Sequence, residues 1–192
     1  MVFPRLHIIT DSLDVVRAVV GLGPVAIQIR VKSSSRLAYE LALAALPLCR
    51  TAGALCLIDD RVEVALAVGA DGVHVGSSDL PVSVARRLLG PTAVVGGTCR
   101  DLADIRRAVA DGASYVGLGP VFATSTKDGL PPPMGPAVAG AAAAAAPEIP
   151  VIAIGGITVD RVPELRTYGV AVVSAIAADP VGATTSFLKA LS

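Results

Sequence analysis

A chain of 192 residues, 53% apolar, with 16 Lys and Arg balanced by 16 Asp and Glu, carries enough material for one well-buried core and no net charge. Without an excess of either sign there is no electrostatic footprint for nucleic acid and no polybasic surface for anionic lipid, and the high apolar content excludes a disordered chain. The three cysteines, Cys49, Cys56 and Cys99, form no Cys-x-x-Cys pair, so neither a disulfide framework nor a structural zinc site is expected, and a reducing cytoplasm fits them. No charged-then-apolar leader opens the chain, and its longest uncharged run, Gly129 to Pro147, is alanine-rich and broken by prolines, so no membrane span is expected.

Short Val/Ile/Leu-rich runs alternate with longer stretches of helical spacing. The apolar runs are Leu6 to Thr10, Val25 to Arg30, Ala54 to Asp59, Gly72 to Gly76, Ala93 to Thr98, Tyr115 to Pro120, Pro150 to Gly156 and Gly169 to Ile176. Buried parallel strands read this way because helices cover one face and a core fills the other. The intervening helices are expected over Leu13 to Val20, Ser35 to Gly53, Arg61 to Val68, Pro81 to Leu89, Asp101 to Asp111, Pro136 to Ala146, Val159 to Thr167 and Val181 to Leu191, with Ser35 and Asp101 as caps and Pro81 in a first turn. Eight βα units with no antiparallel remnant and no Gly-x-Gly-x-x-Gly after the first strand predict a single (β/α)8 TIM barrel of minimal size, one domain over residues 1–192; a doubly wound open sheet is the alternative.

In such a barrel the chemistry lies at the carboxyl ends of the strands, and here those ends are polar. Strand two runs out as Gln28-Ile29-Arg30-Val31-Lys32, and period-two alternation sends Gln28, Arg30 and Lys32 to one side. Strand three ends in Asp59-Asp60-Arg61, strand four is followed by Ser77-Ser78-Asp79, and strand six by Thr124-Ser125-Thr126-Lys127. Arg30, Lys32 and Lys127 facing Asp60 and Asp79 make sense around a diphosphate and Mg2+, since the cations hold phosphate oxygens while the carboxylates hold the metal. Gly155-Gly156 after strand seven and Ser174 at the end of strand eight occupy the usual phosphate position of this fold. Blander readings exist for each piece: surface ion pairs for the cations, a helix cap for Asp59 or Asp60, and satisfied core histidines for His7 and His74.

The pieces Ile8-Ile9-Thr10-Asp11, Gln28-Ile29-Arg30-Val31-Lys32, Ile58-Asp59-Asp60-Arg61, Gly72-Val73-His74-Val75-Gly76 with Asp79-Leu80-Pro81, Tyr115 to Phe122 running into Thr124-Ser125-Thr126-Lys127, Ile154-Gly155-Gly156-Ile157 and Val172 to Ile176 occur in one order along nearly the whole chain. In these pieces the chain resembles the family of thiamine-phosphate synthases and TenI-type thiazole tautomerases. The resemblance implies Mg2+-dependent joining of 4-amino-2-methyl-5-hydroxymethylpyrimidine diphosphate to a thiazole phosphate carboxylate, with release of pyrophosphate and carbon dioxide. It implies that Gln28, Arg30, Lys32 and Lys127 bind the pyrimidine diphosphate, with Arg30, Lys32 and Lys127 catalytic, that Asp59, Thr98 and Ser125 stand among the substrate-binding positions, and that Asp60 and Asp79 bind the metal. Thr124 and Thr126 would meet the thiazole carboxylate, and Gly156, Val173 and Ser174 the thiazole phosphate.

Four departures from the family pattern stand out. Asp59 replaces an asparagine that binds diphosphate, Ser77 a glutamine, Thr98 a serine, and Arg100 the histidine to which tautomerase activity is assigned; the stretch before the last strand is also short. The expected function is therefore the synthase, with a thiazole tautomerase or a non-catalytic binding or regulatory relative as alternatives. The expected partners are small molecules, neither nucleic acid nor membrane, and the habit of small barrels suggests a homodimer.

Overall fold

The computed structural model describes residues 3–126 and 129–192. Eight parallel strands close into a barrel in sequence order: β1 (Leu6–Thr10), β2 (Val25–Ile29), β3 (Leu55–Asp59), β4 (Gly72–Val75), β5 (Val94–Cys99), β6 (Tyr115–Leu118), β7 (Val151–Ile154) and β8 (Gly169–Val172). Closure is made by β1 against β8, with Leu6 opposite Val170 and Ile8 opposite Val172. Around the strands lie α1 (Leu13–Val19), α2 (Ser35–Ala52), α3 (Val62–Val68), α4 (Val82–Leu89), α5 (Leu102–Ala110), α6 (Pro136–Ala144) and α7 (Pro180–Ala190). The fold is the expected (β/α)8 barrel.

Strand alternation creates two cores. Outward residues such as Ile8, Ile27, Ile58, Val73 and Val95 pack with Val16, Ala42, Ala65, Ala85, Ile105 and Phe187 of the helix layer. Inward residues Ile9, Ala26, Leu57, Tyr115, Ile152 and Ala171 fill the barrel itself. Burial of this apolar surface is the main term that holds the barrel closed. At the amino-terminal end, the guanidinium of Arg86 donates to the carbonyls of Gly90, Ala93 and Gly112 and to Ser114 Oγ, which pins the turns that feed β5 and β6.

Five local expectations are corrected. The Val159 to Thr167 stretch forms a 3-10 helix over Val159–Glu164, because Pro163 removes a backbone donor and only four residues separate Glu164 from β8. Strand β8 ends at Val172, and Ser174–Ile176 is a second 3-10 turn. The cap of α2 is Ser34, whose side chain accepts from Leu37 N–H, while Ser35 Oγ bonds Glu63. Pro81 stands just outside α4 with ψ 148°, and neither Asp59 nor Asp60 caps α3, whose flanking residue is Arg61. The Asp101 cap is present, its carboxylate accepting from Asp104 N–H at 2.8 Å. Among the described residues no helix is long and apolar enough to cross a membrane.

Candidate active site

A cleft opens at the carboxyl ends of the strands and is lined by Gln28, Arg30, Lys32, Asp59, Asp60, Thr98, Thr124, Thr126, Gly156, Val173 and Ser174. The strand ends thus bring together most of the residues singled out above. Ser125 does not line the cleft, Asp79 stands at its edge against Asp60, and Lys127 lies outside the described residues.

Alternation on β2 places Gln28 inside the barrel, 3% exposed, with Arg30 and Lys32 above it. The turn carrying both cations is braced from beneath, since Arg61 donates to the carbonyls of Val31 and Lys32 and to Ser35 Oγ. Gln28 Nε2 donates to Asp59 Oδ1 at 2.6 Å. Asp59 Oδ2 lies 2.8 Å from Lys32 Nζ and 3.5 Å from Arg30 Nε, contacts that are ionic rather than well-directed hydrogen bonds. Lys32 also pairs with Asp60.

Burial pushes the Asp59 carboxyl above the ordinary range, the Asp60 carboxylate adds to this, and Lys32 and Arg30 oppose it. For Lys32 the order reverses: burial would lower its ammonium, but the Asp59 and Asp60 carboxylates beside it hold it above its usual value. Burial likewise acts upward on Asp60, where the pull of Lys32 outweighs it and holds the carboxyl low. Asp79, raised by burial and by Asp60, is the member of that pair that more readily holds a proton. A neutral asparagine in place of Asp59 would leave Arg30 and Lys32 more available to an anion.

Asp60 has φ of 62°, a left-handed backbone that a short polar side chain tolerates and that costs of the order of 1 kcal/mol elsewhere. Its N–H donates to His74 C=O at 2.7 Å, which turns the carboxylate toward Asp79. A Cβ on Gly76 would stand 2.6 Å from Asp79 Oδ2 and 3.5 Å from Asp60 Oδ1, so a glycine is what leaves the space between these oxygens open. Two hard carboxylates over an open space fit Mg2+, which takes few protein ligands and completes its shell with water and phosphate oxygens. Among the described residues no group of three His, Cys, Asp or Glu gathers to hold an ion.

The opposite rim is made of backbone. Gly156 has φ of 64°, and a Cβ there would meet Ala123 C=O at 2.3 Å. Arg161, on the 3-10 helix, donates to Gly156 C=O at 2.6 Å and stacks over Phe122 at 4.5 Å, tying the β6 and β7 loops together. Thr124 and Thr126 link through their hydroxyls at 3.1 Å.

Further residues that line or support the cleft come from positions with little or no sequence signal. Arg161 escaped because it supports the rim from outside. Arg100 reaches the cleft with its guanidinium bound to Gly119 C=O. His74 and Tyr115 point inward, as their strand parity allows, and His74 is a satisfied core histidine that also faces the cleft. Burial holds the His74 ring down to about 4 and the His7 ring to about 3, so both are neutral near pH 7.

Comparison with known proteins gives a consistent picture. Residues 2–178 match the family model described as thiamine monophosphate synthase. The chain is 51% identical over 203 aligned positions to the thiamine-phosphate synthase of Salinispora arenicola, covering 98% of this chain and 97% of the relative. It superimposes on thiamine phosphate pyrophosphorylase from Pyrococcus furiosus with a TM-score of 0.86 at 35% identity, over 97% of this chain and 95% of the other. A TM-score of 0.69 at 19% identity to N-(5'-phosphoribosyl)anthranilate isomerase from Pyrococcus furiosus, over 98% of each chain, reflects the shared barrel alone.

Proposed function

The chain belongs to the thiamine monophosphate synthase family and is a transferase that makes thiamine phosphate, and from that premise we propose how its mouth performs the transfer. The substrates are 4-amino-2-methyl-5-hydroxymethylpyrimidine diphosphate and a thiazole phosphate carboxylate. Gln28, Arg30, Lys32, Thr98 and Lys127 receive the diphosphate, with Asp59 set against Arg30 and Lys32 beside it. Thr124 and Thr126 receive the thiazole carboxylate, and Gly156, Val173 and Ser174 its phosphate.

Asp60 and Asp79 hold Mg2+, which when bound supplies positive charge to the departing pyrophosphate. Arg30 and Lys32 bind the same leaving group, so the carbon–oxygen bond breaks with its electron pair on pyrophosphate, and a pyrimidine methylene cation remains. The Gly156 rim holds the thiazole so that its nitrogen lone pair closes on that carbon; the ring–carboxylate bond then breaks, carbon dioxide leaves, and the electron pair left on the ring takes up one proton from water. Orientation and charge placement do the work, and no side-chain nucleophile is required.

The observation that carries this reading is the meeting, in one cleft, of Arg30 and Lys32 with the Asp59, Asp60 and Asp79 carboxylates, across from the backbone rim at Gly156 and Ser174. The test is thiamine phosphate formation from the two substrates, with Mg2+ or with a chelator, in wild type and in Asp60→Asn and Asp79→Asn. Product that depends on Mg2+ and falls at least about a hundredfold in either variant supports the assignment. Product undiminished by chelator removes the metal from the proposal, and no product at all removes the reaction. Against a tautomerase stands Arg100, whose guanidinium is engaged with Gly119 C=O and offers no base at that position. Residues 1–192 act as one domain, in the cytoplasm, as a homodimer.

A further inference from the structure

Beneath the mouth, three polar side chains from adjacent strands form a chain. Tyr115 Oη is 3.0 Å from His74 Nδ1, and His74 Nε2 is 2.9 Å from Thr98 Oγ1. Gly96, on the strand between them, makes the space: a Cβ there would fall 2.2 Å from the tyrosine ring and 2.6 Å from His74 Nδ1. Tyr115 is 1% exposed, and among the described residues its hydroxyl has His74 as its hydrogen-bond partner. Thr98 is half-buried and lines the cleft.

A neutral imidazole has one N–H, so the chain can be ordered in two ways. If Nδ1–H donates to Tyr115, Nε2 must accept from Thr98. The phenolic hydrogen is then left without an acceptor in the interior, and Thr98 turns lone pairs toward the cleft. If Tyr115 O–H donates to Nδ1, Nε2–H donates to Thr98 Oγ1, and the threonine hydrogen is free to point at the cleft. The second order leaves no buried donor unpaired, and an orphaned buried donor costs about 1–3 kcal/mol, enough to select it.

We propose that Tyr115 and His74 are positioning residues that select one imidazole tautomer and thereby fix the Thr98 hydroxyl as a hydrogen-bond donor to the substrate's diphosphate. This rests on the reading that Thr98 meets the diphosphate. The relay explains why threonine can stand at this position: the hydroxyl's direction is set by His74 rather than by free rotation. It also gives a use to two buried polar rings that take no part in bond making.

The test is calorimetric titration of inorganic pyrophosphate with Mg2+ into wild type, Thr98→Val, Tyr115→Phe and the double variant. Thr98→Val weakens binding by about tenfold, the scale of one hydrogen bond to a charged group. Tyr115→Phe, which removes the constraint on the tautomer, weakens it severalfold in wild type and has no further effect in Thr98→Val. His74→Leu follows the same pattern and serves if Tyr115→Phe proves unstable. A Tyr115→Phe effect equal in both backgrounds, or absent from wild type, overturns the relay while leaving the Thr98 contact standing. An undiminished affinity in Thr98→Val overturns the contact and the relay with it.

Discussion

Replacing His7 by leucine tests how the barrel interior treats a charge. His7 is 1% exposed, packs between Phe3 and Tyr115 with ring centroids 5.4 and 4.9 Å away, and among the described residues its Nε2 has no hydrogen-bond partner. Burial first, and His74 second, hold its ring at about 3, against an unperturbed 6.5. As pH falls below 6.5 the unfolded chain takes up a proton that the folded chain refuses until about pH 3, so stability falls with falling pH across that window. At roughly 1.4 kcal/mol per unit, His7 alone should remove about 3 kcal/mol between pH 7 and pH 4, a large part of an ordinary stability of about 5–15 kcal/mol. His7→Leu should match wild type to within about 1 kcal/mol at pH 7, since the lost ring packing against Phe3 and Tyr115 is offset by removal of an orphaned nitrogen. At pH 4 it should be the more stable protein by about 2–3 kcal/mol. Urea unfolding at both pH values measures this directly, and carboxylate titrations common to the two proteins cancel in the difference. A wild-type-minus-variant stability gap that does not change with pH would refute the reasoning.

Asp59→Asn keeps an oxygen for the Gln28 amide but removes the carboxylate from Lys32 and Arg30, so KM for the pyrimidine diphosphate should fall by about threefold to tenfold; a rise would show that the carboxylate helps binding. Gly156→Ala forces a Cβ to within 2.3 Å of Ala123 C=O at a positive φ, and should raise KM for the thiazole phosphate at least about tenfold while leaving that for the pyrimidine near wild type. Equal losses on both substrates would argue for general collapse of the mouth. Arg86→Met strips donors from the Gly90, Ala93 and Gly112 carbonyls and should cost about 2–4 kcal/mol in denaturant unfolding with kinetic constants retained, because these bonds lie at the opposite end of the barrel; altered KM would contradict that separation.

The alternation of apolar runs with helical stretches made the eight-stranded barrel legible because a parallel strand buried on both faces has to be apolar along its length. The same logic exposed the site, since carboxyl ends carrying Gln28, Arg30, Lys32, Asp59 and Asp60 break that apolar rule where the barrel opens. Local chemistry was less decisive at boundaries. The Val159 stretch has helical spacing, but Pro163 and the short return to β8 leave room only for 3-10 turns, and a one-residue shift moved the α2 cap from Ser35 to Ser34.

The pattern of residues along the chain was therefore sufficient for the barrel and for most of the groups that line the cleft at the carboxyl ends of its strands. Only the closed tertiary structure decided which of those groups touch. Parity says that His74, Thr98 and Tyr115 all point inward, but strand register decides that the histidine bridges the other two, and the absence of a side chain at Gly96 decides that they can approach. The same holds for Asp59, which alternation merely points inward: its ion pairs with Arg30 and Lys32 exist because β2 and β3 are neighbours in a stagger that lifts the cations over the carboxylate. Periodicity is a property of one strand, whereas a hydrogen bond or an ion pair between strands depends on their relative position to within a fraction of an ångström, and packing around the whole barrel sets that position.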